Sequence, residues 1–438
     1  MLTNINTNLA DREDLKKTED FYGKIIKALF LLLVVIFPWV ILPNSTQPYE
    51  LLREILIFAI PGFLWIIIFF RSLKRKEFEW RKTKLNWIIF VWALVLGLIF
   101  IYAPNYQTAW EGYPGSLTAG LSEYLAYFLF FFLAVQIYNA EEWKKIIQIY
   151  AISLTAVLVF YIGLTIYFAS NNVLTINFAR TPSLVTAAAG VLALAFWWTL
   201  KRTEVAKKAR SFLLVLVLFF ISSLLDFHIG WWMWVVGTLI ILIFDAVTRT
   251  KVYVRGQEVR QLGLNSESGG IASLIFHGDA KYLFLILLFS LSRALSPLFL
   301  GQQKLSFMPY FTYLTQYPLL GRVVFFYLFI NLLVICYGLY YFWKLKKDRP
   351  DVLIILSGLA CISVAHLLYY SESAILLFLN WILIVYSGLT FLRKPPERDF
   401  FYFIKPRSQG KKIFIILGGC LSIILLGLLL LRAGVLWR

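Results

Sequence analysis

The sequence predicts an all-α fold: a polytopic transmembrane bundle of about 12–13 helices with its N-terminus in the cytoplasm. Three observations carry this. Of 438 residues, 60% are hydrophobic and 15% charged, against roughly 45–50% and about 25% in average globular chains. Thirteen apolar runs approach the roughly 20 residues that a helix needs to cross a bilayer. The 42 Lys and Arg residues fall in alternate loops. Such a composition excludes a soluble enzyme, a disordered chain and a fibrous repeat. Cys336, Cys361 and Cys420 all lie in apolar runs with no CxxC or Cys/His cluster, so neither a disulfide framework nor a zinc site is indicated.

The chain opens with a polar tail, Met1–Lys27, that lacks the basic start and small-residue cleavage site of a secretory signal. The first run, Ala28–Leu42, is therefore expected to be a retained signal anchor. Leu51–Phe70, Leu85–Tyr102, Leu121–Tyr138, Ile146–Phe168 and Ser183–Leu200 follow, each bounded by polar residues. Phe212–Leu225 is short and is taken as a span separate from Ile229–Val247, with Asp226-Phe227-His228 between them. Tyr282–Leu300, Leu320–Phe342, Val352–Tyr370 and Ala374–Phe391 complete a membrane domain over 28–391. Its longest cytoplasmic loop is 248–281 and its short outer loop 301–319. Residues 392–438 supply a linker, broken by Pro395-Pro396, and an additional span, Ile413–Leu431. Continuous runs of this kind form helices, because lipid offers the backbone no hydrogen-bond partner.

Charge sets the orientation. The segments assigned to the cytoplasm hold five Lys/Arg in Met1–Lys27, seven in Arg71–Lys84, two in Asn139–Lys145 and five in Lys201–Ser211. Thr248–Lys281 adds five, Trp343–Asp351 four and Leu392–Lys412 seven, for 35 in all. The outer segments hold six, and Arg293 lies within a span. This is the positive-inside distribution. Merging the seventh and eighth spans would reverse every later loop. The net charge of +18 thus reports orientation and gives no ground for a nucleic-acid partner.

Ionisable groups in or beside spans are costly and mark functional sites. Here they gather toward the outer face. Arg293 lies about 10 Å deep, seven residues from the end of its span at 1.5 Å per residue. Two readings stand for it: an ion pair with Glu123 or Asp226, or a clamp on a phosphate, whose oxygens match a guanidinium bidentately. Asp226 and His228 share the hairpin between the seventh and eighth spans, either as a polar cap or as an acid/base pair. His366 sits near the outer end of the eleventh span, where a backbone hydrogen bond competes with a catalytic role. Trp80, Trp87, Trp143 and Trp437 flank spans as an interfacial belt. Trp110 and Trp231-Trp232 remain candidates for sugar stacking. No P-loop, GxGxxG, HExxH or nucleophile elbow is present, and neither a metal nor another cofactor is expected.

Four stretches resemble the O-antigen ligase and polymerase superfamily of bacterial envelope glycosyltransferases. Trp110-Glu111-Gly112-Tyr113-Pro114-Gly115 leads into Gly120-Leu121-Ser122-Glu123-Tyr124-Leu125. Asn177-Phe178-Ala179-Arg180-Thr181-Pro182 opens a small-residue helix. Ser222 to Trp231 falls where the family has a Ser-Arg-Gly-like turn, and Tyr313 to Gly321 resembles the segment after the family's large outer loop. The resemblance spans roughly Ala28 to Phe391. It departs where His228 replaces the turn arginine, where Met308-Pro309-Tyr310-Phe311 replaces a histidine, and where the outer loop shrinks.

The resemblance implies a metal-independent transferase in the cytoplasmic (inner) membrane of a bacterium. It would move a glycan from a polyprenyl-pyrophosphate carrier to an acceptor at the outer face. Arg180, Arg293 and Arg322 are then the expected pyrophosphate ligands and His228 and His366 the expected catalytic bases. Asp226, Glu123 and Trp110 take supporting roles. The expected partners are the polyprenyl-linked glycan, membrane lipid and other glycan-assembly proteins. Two alternatives stand beside it. One is a catalytically degenerate relative that binds the lipid-linked glycan as an assembly subunit. The other is a transporter of a lipid-linked substrate, against which the rim position of the charges and the lack of a visible repeat both weigh.

Overall fold

A computed structural model describes residues 3–40, 56, 60–72, 77–101, 121–169, 180–200, 205–225, 228–254, 280–299, 318–345, 350–369 and 374–402. The last expected span, Ile413–Leu431, and most of the loops at 248–281 and 301–319 lie outside them. The described residues form twelve helices and one two-stranded sheet. In chain order these are α1 (Thr3–Val40), α2 (Ile60–Ser72), β1 (Glu77–Thr83), α3 (Leu85–Ile101), α4 (Leu121–Ile137) and α5 (Ala140–Ala169). Then come α6 (Arg180–Thr199), α7 (Val205–Leu225), α8 (His228–Val254) and α9 (Ala280–Phe299). The series ends with α10 (Pro318–Leu345), α11 (Pro350–Tyr369), α12 (Ala374–Leu389) and β2 (Arg393–Tyr402). The first twelve expected spans therefore each coincide with a helix. Five helices are long and apolar enough to cross a membrane, and six shorter ones are apolar.

Two features differ from expectation. The polar tail is helical from Thr3, because Thr3–Lys27 holds no proline and one glycine to interrupt a helix seeded by the apolar run behind it. The segments Arg71–Lys84 and Leu392–Lys412, expected as loops, instead contribute β1 and β2, which pair antiparallel from Glu77↔Tyr402 to Arg81↔Arg398. The register breaks between Arg81 and Thr83. Opposite that break lie Pro395 and Pro396, which have no N–H to give to the ladder.

Helices α6, α11 and α12 form the centre. Every residue of α6 from Ser183 to Phe196 and every residue of α12 from Ile375 to Leu389 is buried. The reason for α6 is its run Ala187-Ala188-Ala189-Gly190, whose small side chains let neighbouring backbones approach. A Cβ at Gly190 would overlap the Trp234 ring of α8, and one at Gly237 of α8 would overlap Val191 of α6. Gly230 of α8 in turn sits against Ser183. The contacts Ser183–Gly230, Gly190–Trp234 and Val191–Gly237 advance together along both chains, so α6 and α8 run parallel. One return crossing must lie between them, and α7 supplies it, which establishes α7 and α8 as separate spans.

The expected basic segments meet at one end of the bundle. Asn139 caps α5: its Oδ1 accepts the Glu142 N–H at 2.8 Å, and the Glu142 carboxylate accepts the Asn139 N–H at 3.3 Å. The same carboxylate takes Lys27 Nζ at 2.5 Å. Lys144 reaches Asp351 at 3.3 Å, and Asp351 also accepts the Tyr386 hydroxyl at 2.5 Å. Arg81, buried, donates to the Tyr138 carbonyl, while its own N–H donates to Gln136 at 2.6 Å. Lys84 N–H donates to the Leu392 carbonyl at 2.8 Å. Four expected cytoplasmic segments and the end of the N-terminal tail are thus bound together.

Candidate functional site

The opposite end carries the candidate site. Parallel packing of α6 and α8 brings two helix N-termini side by side there, joined at Ser183 and Gly230. Arg180 begins α6, three residues before Ser183, and Pro182 fits the first helical turn, where its missing N–H costs nothing. His228 begins α8, two residues before Gly230, and is partly exposed. Aligned peptide dipoles make both ends favourable for an anion.

Arg293 approaches from α9, which packs along α8. Its guanidinium carbon lies 5.8 Å from the Phe289 ring centroid, one helical turn back. Phe289 meets Trp231 at 5.7 Å and Phe219 at 5.3 Å between centroids. The Trp234 indole N–H donates to Ser222 Oγ at 3.0 Å, fastening the end of α7 to α8. An aromatic wall from α7, α8 and α9 therefore supports a partly buried cation, and Trp231 in that wall lies one turn from His228 along α8.

Of the residues singled out in the sequence, the structure gathers His228 and Arg293 around this wall and sets Arg180 at the adjoining helix start. His366 is 4% exposed on α11, which packs on both α6 and α8. Arg322 lies in the second turn of α10 and Glu123 in the first turn of α4, and their side chains fall outside the described structure, as does that of Arg180. Asp226 and Trp110 lie outside the described residues altogether.

Two tryptophans change role. Trp231 is 1% exposed and packs between Phe219 and Phe289, so its ring faces are closed to a sugar. Trp143, expected in the interfacial belt, is fully buried and donates its indole N–H to the Ile382 carbonyl at 2.9 Å. A one-residue view of hydropathy does not distinguish a tryptophan at a span's edge from one turned inward. Phe219, Phe289 and Ser222 were not anticipated as parts of the site. The i, i+4 spacing of Phe289 and Arg293 is the signal that would have found the first contact.

Among the described residues no three His, Cys, Asp or Glu side chains stand close enough to hold a metal ion. Compared with known proteins, the chain matches no family model, no curated protein and no solved structure. What its own geometry establishes is a multi-pass integral membrane protein, with a cation and a histidine at the converging ends of α6, α8 and α9.

Proposed function

We propose that the protein is an envelope glycan transferase of the O-antigen ligase or polymerase type, in the cytoplasmic membrane of a bacterium. The observation that carries the reading is the junction of parallel α6 and α8 beside Arg293. Two helix N-termini, a guanidinium and an imidazole are assembled on one rim of the bundle. That set suits a substrate whose leaving group is a pyrophosphate and whose tail lies in lipid.

In the proposed reaction an acceptor hydroxyl oxygen attacks the anomeric carbon of the carrier-linked sugar. The carbon–oxygen bond to the pyrophosphate breaks, and the electron pair leaves with it. Arg293, Arg180 and Arg322 stabilise the charge that grows on that group. His228, or His366 from the neighbouring helix, takes the hydroxyl proton. Asp226, Glu123 and Trp110 keep supporting roles in this reading.

The full chain in lipid, supplied with a polyprenyl-pyrophosphate oligosaccharide and an acceptor glycan, is the assay. Arg293→Ala is expected to lower kcat by about 100-fold, the usual effect of losing a donor to developing charge. Unchanged transfer in that variant overturns the site. Binding of the carrier with no transfer by the intact protein would instead favour the assembly-subunit reading. The burial of His366 and the His228 departure from the family pattern favour that second reading.

A further inference from the structure

Far from that site, at the basic end, α3 and α10 meet along a seam that the proposed function does not use. Lys84 stands one residue before α3, and its ammonium donates to the Tyr337 hydroxyl of α10 and lies 4.3 Å from the centroid of that ring. Its partner there is a neutral phenol, whereas Lys27 and Lys144 end on carboxylates. Tyr340 follows Tyr337 by one turn, with ring centroids 6.0 Å apart, and Trp343 follows by another. Trp87 occupies the matching first turn of α3. Trp87 and Trp343 are each 72% exposed and Tyr340 54%, although all three lie in helices of a membrane bundle.

We infer that this seam binds one anionic glycerophospholipid, with its phosphate on Lys84 and the Tyr337 hydroxyl and its headgroup between Trp87 and Trp343. Charge supports the choice, since the surrounding segments Arg71–Lys84 and Trp343–Asp351 hold 11 Lys/Arg and only four Asp/Glu. Amphipathic Trp and Tyr rings favour the headgroup level of a bilayer. Shape excludes a free phosphate. Phe90, Leu94 and Leu98 continue the exposed side of α3 toward the membrane centre, and Leu332 and Phe329 continue that of α10. They offer two acyl chains a path directly below the cation. Lys84 acts as the headgroup ligand, and Tyr337 both orients it and adds a hydroxyl donor.

The test is native mass spectrometry of the full-length protein in detergent, with phosphatidylglycerol and phosphatidylcholine of identical chains added in equal amounts. The intact protein is expected to retain phosphatidylglycerol preferentially. Lys84→Gln is expected to lower that retention about fivefold, as losing one cation near an anionic headgroup implies, and to leave phosphatidylcholine unchanged. Lys84→Arg should keep the preference. A lipid-free unfolding scan checks that Lys84→Gln folds. If it does not, Tyr337→Phe, which removes a single hydroxyl, replaces it and should also lose retention. Equal retention of both lipids, or undiminished phosphatidylglycerol on the folded variant, overturns the inference. So does inorganic phosphate raising the unfolding midpoint as much as phosphatidylglycerol.

Discussion

At Gly190 the α6 backbone forms the floor on which Trp234 rests, and a methyl group there would occupy the space of the indole ring. Gly190→Ala is therefore expected to destabilise the protein by about 1–3 kcal/mol, the range for overpacking a tight interior. A lowered unfolding midpoint in detergent would register it. The same change at Gly163, where no described atom beyond its own helix backbone lies within 4 Å, should not lower the midpoint. The sequence marks Gly190 as a small residue in a small-residue run, yet the identity of the ring above it depends on a helix more than forty residues later. Arg293 illustrates the converse. Its depth in an apolar run made it conspicuous from sequence, while the Phe289, Trp231 and Phe219 rings that support it became evident only from the packing of three helices.

At the scale of elements, α10, α11 and α12 are joined by a buried polar clasp. Asn331 and Asn380 exchange two hydrogen bonds of 2.9 and 3.0 Å, and Asn331 also donates to Ser363 at 3.1 Å. Both asparagines are fully buried, so truncating one strands the other's amide. Asn331→Ala should cost about 1–2 kcal/mol. Asn331→Leu combined with Asn380→Leu should cost less than the sum of its parts, because no polar group is left orphaned. A double-mutant cycle on unfolding free energies measures this, and strict additivity would mean the pair does not act as a clasp. The α7–α8 break was legible in the sequence through charge parity alone. The β1–β2 pairing was not. Each strand is short, the two are some 300 residues apart, and nothing in either segment names its partner.

For the whole molecule the decisive property is sidedness. Lys27, Arg81, Glu142, Lys144, Asp351 and Tyr386 tie the basic segments into one end, whereas His228 and Arg293 belong to the other. Cysteines placed at Glu141 and His228, in a background with Cys336 and Cys420 replaced, are expected to respond oppositely to a membrane-impermeant thiol reagent. Position 228 should label on intact cells and position 141 only after permeabilisation. Labelling of both from one side would contradict the three crossings, α5 to α7, that separate the two positions, and labelling of position 228 from neither side would contradict the separation of α7 and α8 into two spans.

Hydropathy and charge are sums over local sequence, so the sequence by itself determined the number and order of the first twelve helices and the alternation of basic loops. It did not rank the helices. Both α6 and α7 are apolar runs of similar length, yet α6 is enclosed while only 22% of α7 is buried. In lipid an apolar side chain gains little from burial, and close packing decides which helix goes inside. The Ala-Ala-Ala-Gly run makes that approach feasible for α6. The bulkier Leu213, Leu216 and Phe220 of α7 remain facing outward. Tertiary structure also turned Trp143 and Trp231 inward and brought Lys84 onto Tyr337, because those outcomes depend on which distant surface each side chain meets.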